Sequence, residues 1–369
     1  MKRYREAAAP ICILAVPSFR SAHPERLIRV NIFEFTCALV DIESTTNHEK
    51  NVGDYLFDHL SALAKGHNGR IERIPAAPHR DNIFAAWGEP LVTLSTHMDT
   101  VPPFFGSRED DDFIWGRGSC DAKGIIAAMI AAAEKLLAAG TRNFGVLFVV
   151  GEERDSAGAK VAAATPRGSR FLINGEPTEN RLALGSKGAL RYEITAHGKL
   201  AHSAYPGLGH SAIHTLLDVL HDIRQIPLPE DALLGASTLN VGTIDGGRAP
   251  NVVADLAEAE IMFRTVGDLA KLREAVSAAA AGRAEAREVL HTPAVQLNKF
   301  DGLPTTIVAF ATDIPTFGGV WGQPFLIGPG SIHVAHTAEE HISKKELSDA
   351  VDIYARMARQ LLATGRSST

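Results

Sequence analysis

Cysteine is scarce in this chain of 369 residues: the three present, Cys12, Cys37 and Cys120, stand far apart and form no Cys-x-x-Cys pair. Neither a disulfide framework nor a thiolate zinc site is indicated, and a reducing, cytoplasmic setting fits. Long apolar runs are missing as well, since nothing approaches the ~18 residues that a membrane helix needs. Positive charge does not dominate: Lys and Arg total 37 against 43 Asp and Glu, for a net charge of -6. No basic stripe exists for a nucleic acid, and the only notable like-charge run is the short acidic stretch at 109–112. Internal repeats and low-complexity segments are absent too.

The first 22 residues have the basic start and short apolar stretch of an export signal, but Pro10 and Pro17 interrupt it and no small-x-small cleavage site follows. An extended leader is the expectation. What the chain has in quantity is ordinary core material, 45% hydrophobic with 22% charged residues. Its length exceeds what one core usually serves, so two domains are expected.

Residues 91–100, LeuValThrLeuSerThrHisMetAspThr, organise the rest. An uncharged, β-branched run of this kind predicts a buried strand of a parallel sheet, and His97 and Asp99 stand where it ends. Ligands of open α/β sheets bind at the carboxyl ends of the strands, so any acid or imidazole delivered to that edge is a candidate. Helices are expected over 25–42, where the apolar positions include Leu27, Phe33 and Val40, and over 52–63. Further strands are expected over 82–87, 145–151 and 171–174, and an Ala-rich buried helix over 125–139. Asp121 precedes that helix, either as a plain cap or as a site carboxylate. Glu152 and Glu153 end the second of those strands. They read either as a solvated turn or as two acids with separate roles, because neighbours in extended chain face opposite ways. Glu176 follows the third.

From residue 186 the pattern changes. Strands over 190–196, 237–244, 255–264 and 289–295, with helices over 211–226 and 268–288, give the split βαβ order of a ferredoxin-like unit. It interrupts the first pattern, which resumes to a closing amphipathic helix over 344–362. The division is therefore 1–186 and 295–369 for one domain, and 187–294 for an inserted one.

A pair of divalent cations needs a bridging carboxylate with imidazole and carboxylate ligands on either side. In this order, HisMetAsp, GlyArgGly-x-x-Asp-x-LysGly, GluGlu, GlyGluPro and AlaHis-x-x-GluGlu make the chain resemble, from about residue 30 onward, the dinuclear zinc deacylases and exopeptidases. That family contains acetylornithine deacetylase, succinyl-diaminopimelate desuccinylase and glutamate carboxypeptidase. The resemblance implies an α/β metallohydrolase domain with a mostly parallel sheet, and an inserted α+β ferredoxin-like lid through which a homodimer forms. It implies that His97, Asp121 and Glu176 hold one metal, that Asp121, Glu153 and His336 hold the other, and that Glu152 is the general base. His336 and His341 both flank the GluGlu pair; the match to AlaHisThrAlaGluGlu selects His336. Asp99 is placed to accept the bond of the ring nitrogen of His97 that faces away from the metal.

In the lid, GlyLysLeuAlaHisSerAlaTyrPro resembles the segment whose histidine, here His202, reaches a neighbouring subunit's site and stabilises the oxyanion; a surface-turn histidine is the plainer reading. Asn251 and Arg264 match positions that hold the substrate's carboxylate and carbonyl, an ion pair within the lid being the alternative for Arg264. The turn at Gly328, Gly330 and Ser331 would add backbone donors. His23, His48, His67 and His221 read as structural or exposed. The expected activity is hydrolysis of an N-acyl amino acid, with zinc, cobalt or manganese as the metal. An exopeptidase is the alternative, and a metal-dependent binding protein is a third reading, opposed by the retention of Glu152 with every ligand type.

Overall fold

The uncharged run is a strand, Val92–His97, buried at every position. The structure, a computed structural model, describes residues 31–366. The leader expected over 1–22 and the start of the helix expected over 25–42 lie outside these residues; the described part of that helix is Ile32–Val40.

Val92–His97 pairs in parallel with Phe144–Val149 on one side and Phe171–Asn174 on the other, and Phe171–Asn174 pairs in parallel with Gln323–Leu326. Four consecutive strands thus run the same way inside a nine-stranded sheet. Arg70–Ala77 and Arg80–Trp87 extend one side as an antiparallel pair, and Leu182–Ser186 and Val295–Gln296 extend the other. Helices Gly124–Ala138 and Lys344–Arg366 pack together against it. Leu94, Ile126, Met129, Phe148, Ile173 and Met357 are fully buried between these layers. Each such side chain stabilises the fold by about 1.5–3 kcal/mol through removal of apolar surface from water. Being covered on both faces is what makes these strands read as continuous apolar runs.

The chain leaves this sheet at Ser186 and re-enters beside it, Val295 pairing with Ser186. The residues between build a four-stranded antiparallel sheet in the order Thr238–Gly246, Leu256–Thr265, Gly188–His197, Ala284–Thr292. Helices Ala212–Arg224 and Ala270–Ala280 cover it over a separate core that includes Leu190, Ile194, Leu216, Val219, Phe263 and Val276.

The expected helix over 268–288 needs correction. The second Ala-rich helix stops at Ala280 rather than running to residue 288, because Gly282 turns the chain with φ +70. Its supposed last turns are the strand Ala284–Thr292, whose alternating Ala and charged residues pair with Gly188–His197. Ala-rich composition favours helix locally, but pairing with an open strand overrode that preference. Strands Arg70–Ala77 and Leu182–Ser186 and helix Ala157–Ala164 were not anticipated.

Candidate metal centre

Parallel pairing brings the carboxyl ends of four strands to one edge, and each is followed within a few residues by a polar side chain of interest. His97 ends its strand with its ring buried. Nε2 lies 3.0 Å from Asp121 Oδ1. On the other side of the ring the nearest acceptor is the carbonyl of Asp99, 3.0 Å from Nδ1, while the Asp99 carboxylate is 3.6 Å away. The expected orienting contact is therefore made first by the Asp99 backbone. Its carboxylate instead accepts from the Glu152 amide at 3.0 Å, the Glu153 amide at 3.3 Å and the Thr46 hydroxyl at 2.8 Å.

Asp121 is not a helix cap. It stands in the irregular turn Ser119–Lys123 with φ -127 and ψ 90, before Gly124–Ala138 begins. That conformation aims its carboxylate at two imidazoles, His97 and His336, the latter with Nε2 3.4 Å from Oδ2. His336 Nε2 also lies 3.0 Å from Glu153 Oε1. One atom each from His97, Asp121 and Glu153 fall within 4.8 Å of one another. His341 is elsewhere, in a short strand with its ring against Phe113 and Trp115.

Glu152 and Glu153 lie beyond the end of Phe144–Val149, in a turn, so strand alternation is not what separates them. The turn sends Glu153 to His336, while Glu152 lines the cleft with Arg264. Glu176 is buried, and its Oε1 has no hydrogen-bond partner.

The charge balance points to missing positive charge. Burial, followed by Glu176, pushes the Glu152 carboxyl well above its usual range. Burial does the same to Glu176 and, less strongly, raises Glu153. His336 is pushed up to about 10 by Asp121 and Glu153. Burial pulls His97 down, but Asp121 and Asp99 outweigh it and hold the ring well above its ordinary value. Asp121 is held low despite burial, by His336 and His97. Carboxylates this deeply buried are costly unless cations pair with them, and imidazoles beside carboxylates are the donor set that borderline divalent ions take. With the orphaned Glu176 oxygen, the residues fit a metal centre.

The cleft over this cluster has a volume of about 280 Å3 and draws its walls from both sheets, Arg264 and His291 coming from the smaller one. Arg264 is half-buried and has no ion pair among the described residues. Asn251 and His202 do not line the cleft. Both are exposed; His202 bridges to Val252, and its Nδ1 accepts from the Ala204 amide at 3.1 Å. The turn at 328–331 also differs from expectation. Gly328 donates its amide to Thr178 Oγ1 at 3.0 Å, Gly330 donates to Glu346 Oε2 at 2.7 Å, and the Ser331 hydroxyl donates to Glu179 at 2.8 Å. Those donors are spent bracing the loop that follows Gln323–Leu326.

Sequence reasoning passed over Thr46, Asp313 and Glu340. Asp313 is buried with neither carboxyl oxygen in a normal hydrogen bond, and burial pushes its acid up to about 6. Nothing local marks Thr46 or Asp313. The only available signal for Glu340 was its place beside His336 in AlaHisThrAlaGluGlu.

The model of Peptidase family M20/M25/M40 matches residues 93–360. A Peptidase M20 domain-containing protein of Schizosaccharomyces pombe is 39% identical over 337 residues, covering 89% of this chain and 84% of its own. A probable carboxypeptidase of Aspergillus terreus is 36% identical, covering 86% and 84%. The M20 family metallo-carboxypeptidase Sso-CP2 of Sulfolobus solfataricus shares the fold with a TM-score of 0.73 at 16% identity, over 90% of this chain and 99% of that one. A metallohydrolase acting on amide bonds, this chain belongs to peptidase family M20/M25/M40.

Proposed function

We propose that this protein is a two-metal exopeptidase that removes the carboxy-terminal residue of short peptides. The observation that carries the reading is the half-buried Arg264 guanidinium, without an ion pair among the described residues, which lines the same cleft as Glu152 above the His97–Asp121–Glu153–His336 cluster. A guanidinium suits a terminal carboxylate because its fork donates two parallel bonds. Relatives named as probable carboxypeptidases favour this reading over the deacylase expected from sequence.

His97, Asp121 and Glu176 would hold one ion, and Asp121, Glu153 and His336 the other, with zinc the leading candidate. Bound ions supply Lewis-acid polarisation of the scissile carbonyl and a water acidic enough to ionise near neutrality. Glu152 takes the proton of the attacking water and returns it to the leaving amine. Burial of Glu152 keeps that proton from being lost to solvent, and the positive charge of Arg264 favours its basic form.

His202, exposed and outside its own chain's cleft, completes a second copy's site in this proposal and donates to the developing oxyanion. The open edge strand Thr238–Gly246 and the exposed Leu200, Tyr205, Leu208 and Ile244 support a homodimer through the smaller sheet. Among the described residues, no helix is long and apolar enough to cross a membrane. Free thiols at Cys37 and Cys120 support a cytoplasmic setting.

The test is a substrate panel run on the zinc-loaded enzyme. Amino-blocked dipeptides with a free terminal carboxylate should be cleaved, and the same peptides amidated at that end should not. Equal rates on both would remove the carboxypeptidase reading, and faster turnover of N-acetyl amino acids than of any peptide would restore the deacylase one.

A further inference from the structure

Glu340 is wholly buried, yet it belongs to neither the ligand cluster nor the cleft wall. Its carboxylate sits at the centre of the irregular turn that delivers Asp121. Oε1 accepts the backbone amides of Gly118 at 2.9 Å, Cys120 at 3.3 Å and Asp121 itself at 3.1 Å. Oε2 accepts from Arg117 Nη1 at 2.5 Å, and the Glu340 carbonyl accepts from the Gly116 amide at 3.1 Å. Residues 116–121 are thus wound around one acidic side chain more than 200 positions away in sequence.

Amides converging on one oxygen form a concave anion site, and this one is made possible by Gly118 with φ +85. A Cβ there would come within 2.7 Å of Thr100 Cγ2. The turn therefore has the shape it has because a carboxylate fills it. At the other end, Glu340 lies four residues beyond His336, which adopts the left-handed φ of +63. A non-glycine residue holds such a conformation only where its surroundings over-determine it.

Resting on the metal-centre reading above, we propose that Glu340 is a positioning residue that locks residues 116–121 and 336–340 to each other, so that Asp121 and His336 present their ligand atoms to a common point. Arg117 is its counter-ion and adds to the same lock, because its Nε also donates to the Pro103 carbonyl at 3.2 Å and its guanidinium lies 5.0 Å from the Phe105 ring. A plain core ion pair would join two elements and stop there. This one bonds the amide of the residue whose carboxylate touches both imidazoles.

The test measures zinc affinity, not turnover. Glu340→Gln keeps the side-chain volume but places an NH2 group against either the three amides or Arg117, since every neighbour of the native carboxylate is a donor. Zinc would be titrated into metal-free wild type, Glu340→Gln and Trp321→Phe in the presence of a competing fluorescent chelator, with melting temperatures taken on the metal-free proteins. Trp321 is a fully buried residue away from the cluster and serves as the control for lost stability. Glu340→Gln should raise the zinc dissociation constant about 10–100-fold, the usual effect of removing a group that orients ligands. Trp321→Phe should lower the melting temperature and leave zinc affinity within about twofold of wild type, as expected for a distant site. Wild-type zinc affinity in Glu340→Gln overturns the proposal, as does an equal loss of affinity in Trp321→Phe. If Glu340→Gln does not fold, Arg117→Lys replaces it; that variant keeps the charge but not the fork, and unchanged zinc affinity there is equally fatal. A wild-type protein that takes up no zinc would instead count against the metal-centre reading, a separate outcome.

Discussion

The Asp99 carboxylate accepts the backbone amide of Glu152 at 3.0 Å, so the segment carrying His97, a proposed ligand, is fastened directly to the turn carrying the proposed base. The same carboxylate holds the Glu153 amide and the Thr46 hydroxyl. Because two of these donors are main-chain groups, the carboxylate holds the backbone of the GluGlu turn itself and not only a side chain on it.

Asp99→Asn should therefore disturb the site without changing its size. The amide NH2 must face at least one backbone N–H, two donors in contact where an acceptor is required. An activity loss of about 10–100-fold is expected, in line with other groups that orient metal ligands. Thr46→Val, which removes one of three bonds to the same carboxylate, should cost less than about tenfold, because both backbone amides still hold it. Steady-state kinetics at saturating zinc decides it, and an Asp99→Asn enzyme as fast as wild type would show the tether to be dispensable.

How much of this was legible in the sequence depended on range. Val92–His97 and Gly124–Ala138 could be read directly, because burial on all sides leaves an unbroken apolar run. His97, Glu152, Glu153 and Glu176 could be singled out for the same reason, each standing at or just beyond the end of such a run. Contacts that join distant segments left no local trace: Glu340 reaches back to residues 117–121, and Asp99 reaches across to Glu152 and Thr46. The turn at 328–331 misled in the opposite direction, since a Gly-rich loop displays donors in sequence whether or not Thr178 and Glu346 already occupy them. Residues 281–288 failed because propensity is local and the strand Ala284–Thr292 is made by its partner.

The pKa shifts at the cluster fix the sign of a pH effect on the metal-free protein. His336 titrates near 6.5 when unfolded and is pushed up to about 10 when folded, so its stabilising contribution is complete below 6.5 and is lost as pH rises toward 10. The carboxyls of Glu152, Glu153 and Glu176 are also raised, which makes folded protein less stable as pH climbs above the ordinary carboxylate range. Both groups act in one direction. The chelator-treated protein should melt at a lower temperature at pH 9 than at pH 6, and zinc should remove most of that difference because its binding displaces the same protons. A metal-free melting temperature that rises over this interval would contradict the assignment.

Arg264 supplies a prediction about substrate choice. Arg264→Lys keeps a positive charge but loses the paired donors, so kcat/KM for peptides with a free terminal carboxylate should fall about 10–100-fold, the value of a charged hydrogen bond. Peptides amidated at that end make no such bond, and their already slow cleavage should change by less than about threefold. Comparing the two ratios separates loss of recognition from general damage to the cleft. Equal losses on both substrates would mean that Arg264 supports the fold of the wall rather than the substrate.

The homodimer proposal can be tested by pairing two defective chains. Glu152→Gln should lower kcat by about 10²–10⁴-fold, as expected for loss of a general base, while leaving zinc content nearly unchanged. His202→Ala should also lower kcat, by about 10²-fold, the scale of one oxyanion donor. If the imidazole acts in its own chain's cleft, mixing the two variants yields nothing, because each chain carries one defect in one site. If it acts across a two-fold interface, a mixed dimer has one site with both groups intact and one with neither. Random exchange of subunits makes half the dimers mixed, so total activity should recover to about one quarter of wild type. The geometry motivates the design: His202 sits exposed on the smaller sheet's side and does not line the cleft with Glu152 and Arg264, so in this proposal its imidazole serves the cleft of a second copy. Failure of the mixture to exceed the sum of its parts would assign His202 to the surface turn in which it lies.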